Sequence, residues 1–147
     1  MRFEGLSPAE KDRLRQVGTV WNDDLAASRK VVLEVYRPHA EASVARQPLV
    51  EHRDIAYGQD SAHRLDVFES AHVCAGGRVR PVVAFVHGGA FTRGSKSGDG
   101  LIYDNVLRWF ARQGFVVVNI AYRLAPGAQS PEGARDVAAA MDWIVGS

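Results

Sequence analysis

A chain of 147 residues with 46% apolar and 24% charged residues has ordinary globular composition and length enough for one domain with its own core. Eighteen basic residues stand against 17 acidic ones, a net charge of +1, so there is no electrostatic case for binding nucleic acid or an anionic membrane. A single cysteine, Cys74, excludes an internal disulfide and reads as a plain thiol.

The N-terminal stretch MRFEGLSPAEKDRLRQ has no apolar signal core, and no window approaches a membrane-spanning run, so a cytoplasmic protein is expected. Ser7-Pro8-Ala9-Glu10 is a helix start: Ser7 can cap, Pro8 suits the first helical position, and Glu10 completes a capping box. A second start is predicted at Asn22, with Asp23 and Asp24 placed where carboxylates complement the helix dipole. Leu25, Val32, Leu33 and Tyr36 then fall on one side of a helix that Pro38 is expected to stop. Two helices and a polar linker to Pro48 therefore make residues 1–47 one segment, and 48–147 another.

Two short extended pieces follow, RDIAY and HRLDVF, separated by Gly58-Gln59-Asp60-Ser61; alternation and a glycine-containing turn predict an antiparallel hairpin. Gly76 and Gly77 mark a surface loop before Pro81. The runs VVAFV and FVVVNIAY are almost continuously β-branched or aromatic, the pattern of strands buried on both faces. Between them Asp104 to Gln113 carries Val106, Leu107 and Phe110 at helical spacing, with Gly114 as the stop. Strand, helix, strand predicts parallel neighbours with a right-handed crossover. A last helix starts at Ser130-Pro131-Glu132, with Ala134, Val137, Ala138, Met141, Ile144 and Val145 as its apolar stripe.

Open α/β sheets bind ligands beyond the carboxyl ends of their strands, and His87-Gly88-Gly89-Ala90 lies there, after VVAFV. Glycines let the backbone turn sharply and approach a ligand, and acyl transfer needs backbone N–H groups aimed at a developing oxyanion. A plain glycine turn leaving a strand is the structural alternative. The downstream motifs decide between them. Tyr122-Arg123-Leu124-Ala125-Pro126 ends the second strand, and SPEGARDVAAAMDWI, with Pro131 and Asp136, opens the last helix.

Together these motifs resemble the α/β-hydrolase family, specifically the esterases and lipases of its hormone-sensitive-lipase-like branch, over about residues 50 to 147. The resemblance implies the N-terminal half of an α/β-hydrolase sheet, an antiparallel hairpin followed by parallel strands with crossover helices, preceded by two cap-like helices. It implies an oxyanion hole at Gly88, Gly89 and Ala90, with Gly89 and Ala90 offering N–H groups and Gly88 shaping the turn. His87 would brace the loop, and Tyr122, Arg123 and Asp136 would support it, Arg123 pairing with Asp136. No cofactor is implied, and the substrate would be a small carboxylic ester.

The nucleophile is missing. No G-x-S-x-G pentapeptide occurs, and Gly94-Ser95-Lys96-Ser97-Gly98 puts lysine where serine would stand, after the wrong strand. That segment reads as a flexible polar turn, with Ser95 and Ser97 poor candidates. His39, His52, His63 and His72 sit in surface-like polar segments without metal-ligand spacing. Gly89-Ala90-Phe91-Thr92-Arg93-Gly94 with Lys96 comes within one inserted residue of a phosphate-binding loop, but Ser95 intervenes and Gly98 and Gly100 delay any helix. The chain alone is therefore expected to be inactive, with no triad of its own. Without the strand that carries the serine, Val82–Val86 would be an open edge for a second copy or a C-terminal segment. An arylformamidase-type amide hydrolase and a non-catalytic interaction module are the alternatives.

Overall fold

A computed structural model describes residues 5–44, 49–71, 79–98 and 100–146. Cys74, His72, Gly76, Gly77 and Pro48, each singled out above, lie outside the described residues. The chain divides into two compact units, residues 1–46 and 47–147.

The first unit is a pair of helices, α1 (Pro8–Val20) and α2 (Leu25–Val44). The capping box forms: Ser7 N–H donates to Glu10 Oε2 at 2.6 Å, and Glu10 N–H to Ser7 Oγ at 3.3 Å. The second helix starts later than Asn22, because Asp24 is the capping residue; its Oδ1 accepts from Ala27 N–H at 2.9 Å. Its inward residues are Ser28 and Val35, whereas Leu25 and Tyr36 are exposed, so the predicted stripe is rotated. Nor does Pro38 stop α2, which continues to Val44. Proline removes one helical hydrogen bond, but His39 Nε2 lies 2.9 Å from Glu10 Oε1, and that contact holds the turn beyond the proline against α1. The same histidine, with Ser7, holds the Glu10 carboxyl down at about 2.

The second unit is a four-stranded mixed sheet with α3 (Ile102–Arg112) and α4 (Glu132–Gly146). Strands β1 (Leu49–Ala56), β2 (Arg64–Ser70), β3 (Val82–Val86) and β4 (Val116–Ile120) lie in the order β1-β2-β4-β3. The hairpin β1–β2 is antiparallel with a bulge between His52 and Ile55, β2 pairs antiparallel with β4, and β3 pairs parallel with β4 in unbroken register. Period-2 alternation splits the core into two layers. Leu65, Val118 and Ile120 meet Ala140, Trp143 and Ile144 of α4 on one face. On the other, Phe68, Val117, Val83 and Phe85 meet Leu107, Phe110 and Ala111 of α3. Leu65 and Phe68 are fully buried, each contributing roughly 1.5–3 kcal/mol in transfer free energy.

Three helix and strand expectations need correction. VVAFV is half-buried on alternate residues only, Val83 and Phe85, since Val82, Ala84 and Val86 are exposed and nothing covers that side among the described residues. Val106 of α3 is exposed; the inward row is Asp104, Leu107, Arg108 and Ala111. Polar residues can occupy that row because Arg53 pairs with Asp104 at 2.7 Å and Arg108 with Glu51 at 2.7 Å, above the Phe68 ring. In α4 the buried face runs through Gly133, Asp136 and Ala140, leaving Ala134, Ala138, Met141 and Val145 exposed. Gly114, by contrast, stops α3 as expected, with φ 93° and its N–H on Ala111 O at 3.0 Å.

Candidate active site

Parallel pairing sets Val86 of β3 opposite Ile120 of β4, so the residues that leave the two strands emerge side by side. His87 and Tyr122 are thereby stacked, ring centroids 4.5 Å apart at 15°, although 35 residues separate them in sequence. The Tyr122 hydroxyl donates to His87 O at 2.9 Å. Burial raises the Tyr122 phenol, so the group stays a neutral donor at physiological pH. His87 is itself buried, with Nδ1 3.0 Å from Gly88 O.

Beyond His87 the chain folds over itself. Gly89, Ala90 and Phe91 take consecutive positive φ values of 137°, 54° and 59°. Such conformations are costly for residues with a Cβ and need support from their surroundings. Gly89 O supplies some of it by accepting from Thr92 N–H at 3.1 Å and Arg93 N–H at 3.2 Å. Phe91 O accepts from Ala125 N–H at 2.8 Å, which ties the loop to the Tyr122–Pro126 segment. The Phe91 ring tilts against Tyr122 at 5.6 Å. Among the described residues, no group accepts a hydrogen bond from Gly89 N–H or Ala90 N–H.

A second layer of support comes from α4. Arg123 N–H donates to Asp136 Oδ2 at 2.9 Å, and the guanidinium grips the same carboxylate, Nη2 to Oδ1 at 2.6 Å. Burial alone would raise the Asp136 carboxyl, but the Arg123 hydrogen bonds, with help from His63, outweigh it and bring it down to about 2. Gly133 lets the helix come in close, since a Cβ there would sit 3.0 Å from the Phe91 ring and 3.2 Å from that of Tyr122.

The structure therefore brings His87, Gly88, Gly89, Ala90, Tyr122, Arg123 and Asp136 into one region. It also adds residues that sequence reasoning missed. His63 is not surface-like: its side chain is 15% exposed, its ring stacks on Tyr57, and its Nε2 lies 3.1 Å from Asp136 Oδ1. Tyr57, whose phenol burial pushes up to about 12, donates to Ala121 O at 2.7 Å. The Gly94–Gly98 segment is not a free turn either, because Lys96 Nζ lies 2.5 Å from the buried Asp66. That contact, with no helix among the described residues between Gly94 and Ile102, removes the phosphate-loop reading. Ser95 Oγ accepts from Gly98 N–H at 3.1 Å, a turn-forming role. Among the described residues, no group of three His, Cys, Asp or Glu side chains is placed to hold a metal ion. None of their helices is long and apolar enough to cross a membrane.

Comparison with known proteins agrees on the architecture. The BD-FAE family model matches residues 65–147. Esterase LipC of Mycobacterium tuberculosis is 33% identical over 126 residues, which is 86% of this chain and 30% of that protein. Among solved structures, brefeldin A esterase, a bacterial homologue of human hormone-sensitive lipase, superposes with a TM-score of 0.58 at 23% identity, covering 95% of this chain and 43% of its own. A bacterial heroin esterase gives 0.54 at 26% identity, covering 97% and 43%. The chain thus spans under half the length of each of these proteins.

Proposed function

Because this chain belongs to the BD-FAE family of α/β-hydrolases, we propose that it carries the oxyanion-binding part of a carboxylic ester hydrolase that works through a serine nucleophile. The observation that supports this reading most is the loop at the carboxyl end of β3. Gly89 and Ala90 keep their N–H groups unpaired within the described protein, at φ values of 137° and 54°, while Gly89 O and Phe91 O beside them are hydrogen-bonded. In acyl transfer the carbonyl oxygen gains negative charge as the tetrahedral intermediate forms, and donors already fixed in place need no reorganisation at that moment. His87 braces the loop through its stack on Tyr122, and Arg123 with Asp136 holds the neighbouring segment, so none of the four is offered as the general base.

The nucleophile and its acid–histidine pair would come from sequence outside these 147 residues. The esterases that resemble the chain are more than twice its length. Cap-like residues 1–47, a partial core at 48–147, a small ester as substrate and a cytoplasmic location belong to the same proposal. The test is turnover of a short p-nitrophenyl ester and of N-formylkynurenine by the protein encoded by the complete reading frame, beside the 147-residue chain. Ester hydrolysis by the first and none by the second is expected. Preference for the formamide would instead make the protein an arylformamidase, and turnover by the 147-residue chain would refute the assignment of the nucleophile.

The β3 edge is part of this proposal. It ends the sheet, and Val82 and Val86 on its uncovered face are 48% and 41% exposed. A further strand, from the C-terminal sequence or a second copy, would pair there. The isolated 147-residue chain is therefore expected to elute from a sizing column as a dimer or larger, and a monomer with fully dispersed NMR signals in dilute solution would contradict this.

A further inference from the structure

The segment after the loop is clamped at one residue. Lys96 Nζ lies 2.5 Å from Asp66 Oδ1 and 2.8 Å from Asp54 Oδ1, while Lys96 O accepts from Asn119 Nδ2 at 2.7 Å. Asp66 and Asn119 are fully buried and stand opposite each other on β2 and β4, so the clamp is fixed to the two inner strands of the sheet. Asp66 is immobile in its turn: it also takes Arg53 Nη1 at 3.1 Å and Asp54 N–H at 2.9 Å. The ammonium holds the Asp54 carboxyl below its ordinary value, as a charge-assisted contact does.

Two residues back, Gly94 presses on the start of the loop. A Cβ built there would lie 2.6 Å from Gly88 O and 2.8 Å from His87 Nδ1, so the outgoing limb of the loop rests against the incoming one. The incoming limb is fixed by Tyr122 on His87, and Lys96 is the corresponding anchor of the outgoing limb. We infer that Lys96 is a positioning residue that holds the Gly89 and Ala90 N–H groups on the oxyanion by clamping the loop to Asp66 and Asn119. The inference rests on the ester-hydrolase reading and adds to it a residue outside the His-Gly-Gly-Ala run, six positions after Ala90.

The experiment compares wild-type, Lys96→Met and Asp54→Asn forms of the protein from the complete reading frame. It measures kcat per titrated active site, KM for a p-nitrophenyl ester, and affinity for a trifluoromethyl ketone, which forms a tetrahedral oxyanion on the serine. A displacement of donors by about 1 Å costs on the order of 10²-fold in rate. Lys96→Met should therefore lower kcat roughly 10–100-fold and ketone affinity in parallel, with KM within about twofold of wild type. A merely structural lysine would lower the melting temperature and the titratable fraction, but leave kcat per site and ketone affinity alone. That result would overturn the inference. Should Lys96→Met not fold, Asp54→Asn decides. Asp54 is 71% exposed and asparagine tolerates its φ of 56°, so the variant folds and should still lose roughly 3–10-fold in both quantities. Unchanged values there would also overturn it. Wild-type protein without ester turnover refutes the ester-hydrolase reading and this inference together. Active wild type with unaffected variants refutes the inference alone.

Discussion

Gly89→Ala is expected to reduce ester turnover by the complete protein roughly 10²–10³-fold, the scale on which a lost oxyanion donor is felt. The cause is steric. A Cβ at this position would lie 1.8 Å from Arg93 O, and φ is 137°, where side chains are scarcely tolerated. Backbone cannot yield as a flexible side chain can, so the turn that Gly89 O makes with Thr92 and Arg93 must open. Ala90→Gly is the matched control. Ala90 already carries its Cβ at φ 54°, so glycine relieves strain of about 1 kcal/mol and costs a similar amount in unfolded-state entropy. Turnover and melting temperature should both stay near wild type. Steady-state kinetics on the pair would settle the matter, and equal activity of Gly89→Ala and wild type would remove the loop from the chemistry.

The second large effect concerns Asp136. Replacing it with asparagine removes the carboxylate that takes both the Arg123 guanidinium and its N–H, and takes away the carboxylate oxygen that lies 3.1 Å from His63 Nε2. Breaking one side of a buried pair is costly, and a loss of roughly 2–3 kcal/mol is expected in equilibrium urea unfolding. The pH dependence should change as well. Asp136 sits at about 2 in the folded protein, below the ordinary aspartate value of 3.8. Its contribution is therefore complete above that ordinary value and is lost as pH falls from there towards 2. Wild type should lose stability across this window by on the order of 1–2 kcal/mol more than Asp136→Asn. Parallel profiles for the two proteins would show that Asp136 is not the linked group.

Much of this region is written in sequence order. His87 to Ala90 and Tyr122 to Pro126 each follow a strand of unmistakable character, and parallel pairing of those strands is enough to place them side by side. His63 shows what is legible only in hindsight. Alternation through Leu65 and Val67, carried one residue upstream of β2, puts it on the side of those residues, the side that α4 covers, yet its polar neighbours disguise it. Asp66 and Asn119 are hidden for a similar reason. Each interrupts an apolar strand, and a buried carboxylate is intelligible only once Lys96 and Arg53, from distant parts of the chain, are seen to reach it. Helix faces are hard to read where charge is buried: Asp104 and Arg108 occupy α3's inner row, where Arg53 and Glu51 of β1 pair with them. In α2, a contact to Glu10 outweighed the propensity of Pro38.

The strand order also fixes a timetable for synthesis. β3 and β2 are not neighbours in the sheet; β4 lies between them. The hairpin of β1 and β2 can form as soon as it leaves the ribosome, but β3 emerges with neither strand available to pair with. It waits for β4, which begins at Val116, thirty residues after Val86. At about 5–20 residues per second that interval is roughly 2–6 s. Tyr122, Arg123 and the helix bearing Asp136 arrive later still, so the His87–Ala90 loop takes its strained shape only after the strand beside it has been threaded into the gap. The strained loop from His87 to Ala90 is thus expected to be among the last features of these residues to form, together with the core that supports it.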